Sequence, residues 1–513
     1  MASLARILRV LPLLVAMACA GPAFAQGATT ASTERFAGET QLGSQPPIPA
    51  HVELARQGDT VTGTLSIPGS QFELEDARGA GTIVGRFRGA GGSGGITLRT
   101  DGDLLTAVFD LAGQSGTITA QRTTRDAETF FRPPAQRMDL TTAQWREDLD
   151  HLVAILTREH GSPFHRTPAE AFEREAERVR AAIPDLDAVA AALAFRRLGA
   201  LIGDGHTSVD LPHGRPRLPI EFYWFEDGLR VVGLPARHRD LLGARLVAVD
   251  EVPVMGIAQR LRAYIPQGET EGFHRARTPG LLHDPDVLRA IGLGANPTFA
   301  FMLEIDGRQE RVVLASHDGD EPLLLGRGRP LWQRHDGQAF HDMQLPDGSV
   351  YVNWRAYDGL ADHGAALLRK LEANRPPRLI IDLRDNEGGD YTVGRNFIEA
   401  IRNTPWLDWR RRLYVLIGRK TFSAAMTNAV DFKRTTQAIL VGEPAGAAPN
   451  NWQEVRQFHL PNSGLGVRVS TRYYAFLPGS PELLPDHHVP PEPDDWANEH
   501  DAAMRFVLAQ PVD

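Results

Sequence analysis

The sequence predicts a multidomain α/β chain with an N-terminal antiparallel β domain and, in its last third, a parallel sheet with crossover helices. Three observations carry that prediction. Residues 378–442 hold three short, almost wholly apolar runs separated by helical patterns. Residues 26–135 are rich in Gly and Thr, with period-two alternation. At 513 residues the chain is too long for one hydrophobic core, which implies about two to four domains.

The first 25 residues read as a targeting segment. Arg6 and Arg9 form a basic stretch, Leu11 to Ala20 a short apolar one, and Ala23-Phe24-Ala25 a small-x-small cleavage pattern, with Gln26 as the expected new start. Export to a periplasm or beyond follows as an expectation. Cleavage there takes the net charge from -9 to about -11 and removes Cys19, the only cysteine. A chain without thiols needs no disulfide and cannot use cysteine catalysis. Ala16-Met17-Ala18 before Cys19 lacks the branched residue of a lipoprotein signal, so a lipid anchor at Cys19 is the disfavoured alternative. The acidic balance excludes a nucleic-acid footprint. No later apolar stretch reaches transmembrane length.

Residues 26–135 form the expected N-terminal β domain. Val61 to Ile67 and Leu104 to Leu111 alternate, and turn signals at Pro68-Gly69 and Gly89 to Gly95 separate the runs. The glycine run lacks the Lys-Ser/Thr ending of a phosphate loop and reads as a hairpin turn. Arg132-Pro133-Pro134 marks a boundary, and residues 136–213 are a helical segment. Thr141 and Gln144 form a capping box; Thr167-Pro168-Ala169-Glu170 reads as a cap, an N1 proline and an N3 carboxylate; Asp187 to Leu201 is a third helix stopped by Gly203. Residues 214–345 return to strands. There, Leu241 to Val254 followed by a helix at Ile257 to Tyr264 resembles half of a PDZ-type module. Residues 346–513 are the α/β core, with strands at Arg378 to Arg384, Leu413 to Ile417 and Ala438 to Gly442.

Three places carry chemistry. Ser423 follows an apolar strand and opens a helix, at the carboxyl end of the sheet where α/β folds place their sites. Free N–H groups there stabilise an oxyanion, although serine also serves as a plain N-cap. His206, in Asp204-Gly205-His206-Thr207-Ser208, sits in a glycine turn; it is a base candidate or a surface histidine. Asp382 to Gly389 ends a buried strand in a turn with paired glycines, which let backbone approach a ligand.

Together these residues resemble the tail-specific (C-terminal-processing) and tricorn-core serine peptidases. The matching segments are Gly203 to Thr207, Leu379 to Gly389, Thr421 to Ala425, Val441 to Gly446 and Pro485-Asp486, in the family's order. The resemblance spans roughly Thr142 to the C-terminus and implies a ClpP/crotonase-like catalytic core. One branch of the family uses a Ser–Lys dyad, but Gly446-Ala447-Ala448-Pro449-Asn450 holds no lysine, and Lys433 reads as a solvated charge. The tricorn-like Ser–His–Glu branch fits. It implies Ser423 as nucleophile, His206 as general base, Glu482 as the acid orienting His206 (Glu454 and Asp486 as substitutes), and an oxyanion hole from Ala424 with Gly388 or Gly389. The family often carries an acidic residue where this chain has Met426. No cofactor and no metal is expected; His487-His488 lacks ligand-like partners. The expected partner is a peptide or protein, captured by its C-terminus if the PDZ-like segment adds it as a strand. A ligand carrier on the same scaffold, a hydrolase of a non-peptide acyl substrate, and a binding function in the β domain are the alternatives.

Overall fold

The computed structural model describes residues 33–43, 47–68, 70–89, 92–111, 113–294, 298–316, 323–325, 329–334, 337–404, 412–497 and 500–511. The targeting segment and Cys19 lie outside them. The chain divides into two compact units, Met1–Arg132 and Pro133–Asp513.

In the first unit, eight strands run up and down: β1 (Thr33–Leu42), β2 (Ile48–Gln57), β3 (Thr60–Ile67), β4 (Ser70–Arg78), β5 (Thr82–Gly89), β6 (Gly92–Asp101), β7 (Leu104–Leu111) and β8 (Gln114–Arg122). The expected antiparallel β domain is present, and it is closed: β1 pairs with β8, Phe36 opposite Arg122, so the sheet becomes a barrel without edges. Alternation fills its interior with Phe36, Val52, Leu54, Ile83, Phe87 and Leu98. The glycine run is a hairpin, Gly89 facing Gly92. A short helix, α1 (Ala127–Phe131), ends the unit.

The second unit begins with α2 (Thr142–Glu159), α3 (Ala169–Ala182) and α4 (Ala188–Ala200), packed through Leu149, Leu152, Phe172 and Phe195. The capping box at Thr141 forms as its residues require. At α3 the cap differs from the sequence expectation. Pro168 is the N-cap, and the Thr167 hydroxyl donates to the Leu201 carbonyl at 2.6 Å, satisfying the end of α4 instead.

After β9 (Ser208–Val209) comes an antiparallel sheet of β10 (Glu221–Phe225), β11 (Gly228–Gly233), β12 (Arg245–Val249), β13 (Val252–Pro253), β14 (Thr298–Ile305) and β15 (Arg308–Ala315). Helices α5 (Val254–Leu261), α6 (Glu271–Leu282) and α7 (Pro285–Ala290) separate β13 from β14. The segment read as PDZ-like supplies β12, a tight turn at Asp250 and Glu251, both with positive φ, then β13 and α5.

The core sheet has the order β16 (Phe340–Gln344), β17 (Val350–Trp354), β18 (Leu379–Asp382), β19 (Leu413–Ile417), β20 (Ile439–Gly442) and β23 (His487–His488). All its pairs are parallel except the antiparallel β16–β17 edge. Strands β18 and β19 are buried along their whole length, because α8 (Leu360–Asn374), α9 (Tyr391–Arg402) and α10 (Ala424–Thr435) form one large core and α12 (Ala502–Leu508), which follows α11 (Pro493–Ala497) in the chain, packs in another. A hairpin of β21 (Asn450–His459) and β22 (Gly466–Ala475) adds β9 as its third strand, which brings the His206 loop to the core. Among the described residues, no helix is long and apolar enough to cross a membrane.

Candidate active site

Ser423 stands between β19 and α10 at φ 52° and ψ -129°, a conformation that favours glycine and costs an ordinary residue about 1–3 kcal/mol. Its side chain makes no capping hydrogen bond, so the plain N-cap reading fails. The surroundings hold the strained turn in place. The Phe422 N–H donates to the Asn386 carbonyl at 3.1 Å, and the Thr421 hydroxyl donates to the Leu383 carbonyl at 2.7 Å. The turn after β18 is thereby bonded to the turn after β19.

Gly388 lies against the serine. A Cβ there would sit 2.6 Å from the Ser423 Cβ and 3.0 Å from the Ala424 nitrogen, and its φ of 106° also demands glycine. A Cβ on Gly389 would strike the Tyr357 ring at 2.5 Å. Of the expected oxyanion donors, the Gly388 N–H is already engaged, donating to Asn386 Oδ1 at 2.9 Å. The Gly389 and Ala424 N–H groups have no acceptor among the described residues.

His206 reaches the site on a loop shaped by Asp204. One carboxylate oxygen, Oδ1, accepts the N–H groups of His206 (2.9 Å) and Thr207 (3.0 Å) and the Ser470 hydroxyl (2.6 Å); Oδ2 lies 3.0 Å from His160 Nε2. Burial alone would raise the Asp204 pKa, but these bonds outweigh it and hold it below the usual carboxylate range. The His206 ring lies on Phe422, centroids 4.5 Å apart, one residue from the serine. Both ring nitrogens are shut off from water without a hydrogen bond of good geometry. Burial pulls the imidazole down to about 4, against the Asp204 charge and the Trp452 backbone. It is neutral at physiological pH, the form a base must have.

The structure therefore gathers Ser423, His206, Gly388, Gly389 and Ala424, and it does not join Glu482 to them by a hydrogen bond. Glu482 is half-buried, and no hydrogen bond links it to His206. Its substitutes are engaged elsewhere: Glu454 accepts from the Tyr474 hydroxyl at 2.5 Å, and Asp486 pairs with Lys433 at 2.7 Å and accepts the Leu440 N–H. That pair also occupies Lys433, the one lysine weighed for a dyad. Met426 is fully buried in the core. No group of three or more candidate metal ligands occurs among the described residues.

Glu269 is the neighbour that sequence reasoning missed. Oε1 accepts the Gly205 N–H at 3.0 Å and Oε2 the Ala448 N–H at 2.7 Å. Burial pushes it up to about 7, although both backbone bonds favour its charged form. A single glutamate before a helix cap carries no sequence signal that separates it from a surface residue.

Residues 390–486, which include Ser423 and Glu482, match the family model described as Peptidase family S41. Over that stretch the chain resembles the S41 serine peptidases. The mature form of CPAF, solved in complex with lactacystin, is similar at TM-score 0.52 and 12% identity, over 71% of this chain and 97% of that one. At that identity the likeness shows the fold. The photosystem II D1 C-terminal processing protease matches at TM-score 0.35 and 15% identity, over 71% of this chain and 99% of its own. Tricorn protease matches at TM-score 0.33 and 12% identity, over 93% of this chain and 58% of its own. No curated protein matches the sequence. The S41 match begins at Asp390, so His206, Gly388 and Gly389 stand on their geometry alone.

Proposed function

We propose that this S41 peptidase is an exported endopeptidase that works through an acyl-enzyme, with Ser423 as nucleophile and His206 as general base. The observation that carries the reading is Ser423 itself: a serine held at positive φ, with an idle hydroxyl, at the N-terminus of α10. His206 accepts the Oγ proton as Oγ attacks the peptide carbonyl carbon. The oxyanion accepts from the Ala424 and Gly389 N–H groups, aided by the positive end of α10. The tetrahedral intermediate collapses, and His206 delivers the proton to the departing amine. Water, deprotonated by His206, then attacks the ester, and His206 returns that proton to Oγ as the second tetrahedral intermediate collapses, freeing the acid and Ser423. In this conformation His206 is oriented by Phe422 and by its loop, so Glu482 enters the proposal only as the acid that closes on the imidazole once substrate is bound.

Export rests on the pattern of residues 1–25. Substrate capture by a free C-terminus rests on the strand, turn, strand and helix at 245–261; equal cleavage of amidated and free-carboxyl peptides removes it. The main test is hydrolysis of a quenched-fluorescence peptide library by the wild type, S423A and H206A. Loss of turnover by about 10³-fold or more in both variants supports the pair. Full activity in either one removes it. The same scaffold acting as a ligand carrier predicts no turnover by the wild type.

A further inference from the structure

We propose that Glu269 is a positioning residue for this reaction, fixing the loop of the base against the turn that abuts the loop of the nucleophile. The inference rests on the Ser423–His206 reading above. Its evidence is a continuous set of bonds. Glu269 Oε1 accepts from Gly205, the residue before His206, at 3.0 Å, and Oε2 accepts from Ala448 at 2.7 Å. The adjacent Thr270 hydroxyl donates to the Gly446 carbonyl at 2.8 Å. From the same turn, the Ala447 N–H donates to the Thr421 carbonyl at 3.3 Å, two residues before Ser423. The Ala445 N–H donates to the Leu483 carbonyl at 3.0 Å, next to Glu482. One turn thus touches the segments of the nucleophile and of the expected acid, and Glu269 ties the histidine loop to it.

Packing reinforces the tie. A Cβ on Gly205 would sit 2.6 Å from the Phe422 ring and 2.8 Å from the Glu269 Cγ. The Gly205 peptide is therefore gripped between Glu269 and the ring on which His206 rests. Asp204 cannot replace this contact. Its partners His206, Thr207, Ser470 and His160 shape the histidine loop and bind it to β22 and the end of α2, away from the serine.

The tie depends on charge. A carboxylate accepts from both N–H groups, whereas its protonated form keeps one good acceptor and gains a proton that needs a partner. Asp204 faces Glu269 from the histidine loop and Asn451 from β21. Across a cavity of about 450 Å³ stand Arg166, Arg262, Glu271 and His274, with Gln259 and Gln267. Burial, the largest effect, and Asp204 oppose the carboxylate, the Ala448 and Gly205 N–H groups and Asn451 favour it, and the balance brings its ionisation to about 7.

The test is the pH dependence of fluorophosphonate labelling and of peptide turnover in the intact protein, for the wild type, E269Q, E269A and S423A. The wild-type rate should rise with pH through about 7, as Glu269 ionises. E269Q, isosteric but with one acceptor, should lose about tenfold in kcat and E269A about a hundredfold, with KM within about twofold. In E269Q the limb near 7 should vanish, leaving only the lower limb of His206. A limb near 7 retained in E269Q, a wild type without that limb, or a loss confined to KM overturns the proposal; the wild-type profile decides even if a variant fails to fold. Labelling that persists in S423A sinks the serine assignment itself, a separate failure.

Discussion

The barrel and the catalytic loops handle polar groups in opposite ways. In the barrel every strand has two neighbours, and the buried Thr40 hydroxyl and His51 Nε2 find backbone carbonyls, Thr117 and Arg125, with His51 Nδ1 the one buried side-chain polar atom left open there among the described residues. At the site, Ser423 is strained with an idle hydroxyl, and neither His206 ring nitrogen has a hydrogen bond of good geometry. Buried polar groups left open cost stability, so an imidazole without good hydrogen bonds beside a strained serine is a place where a bound substrate would supply the missing bonds. The comparison teaches that the second unit trades stability for chemistry at this place, while the barrel closes on itself.

That contrast can be broken by substitution, and the largest effect is expected at Ser423. Ser423→Gly should abolish peptidase activity and raise stability by about 1 kcal/mol in chemical denaturation, because glycine relieves the positive φ. A destabilised Gly variant contradicts the strain. Next, Gly388→Ala places a methyl 2.6 Å from the Ser423 Cβ at a φ of 106°. It should cost about a hundredfold in kcat, read by steady-state turnover. In the barrel, Leu98→Ala should cost about 2–5 kcal/mol of stability with kcat unchanged at 25 °C. A fall in kcat there would show that the barrel shares in catalysis. The smallest effect is a shift with pH. His206, His274 and His283 are each lowered from 6.5 to about 4 by burial, so the unfolded chain binds protons first on acidification. Their stabilisation is complete above 6.5 and is lost toward 4. Glu269, raised to about 7, and Asp495, raised by burial to about 6, work the other way, adding stability as they protonate. With three groups against two, Tm should fall between pH 6.5 and 4; a Tm that rises over that interval contradicts the burial of the histidines.

Much of this was legible in the residues. The apolar runs at 378–384, 413–417 and 438–442 announce strands, and β18, β19 and β20 lie within them. Order and spacing brought Ser423, His206 and the Gly388-Gly389 turn to attention together. Barrel closure was not legible, because the β1–β8 pairing joins Thr40 to Ile118, and no local pattern encodes a contact at that separation. Glu269 was hidden for the same reason: its meaning lies in two backbone N–H groups from distant loops. The cap at Thr167 misled because a hydroxyl satisfies whichever backbone group is nearer, and that group was Leu201.

The central claim is that Ser423 is an activated nucleophile, and the most direct measurement is mass-spectrometric mapping of the fluorophosphonate adduct on the wild-type protein. The prediction is one adduct, on Ser423, that forms more slowly in H206A. An adduct on another residue, or none on a protein that still cleaves peptides, would contradict it.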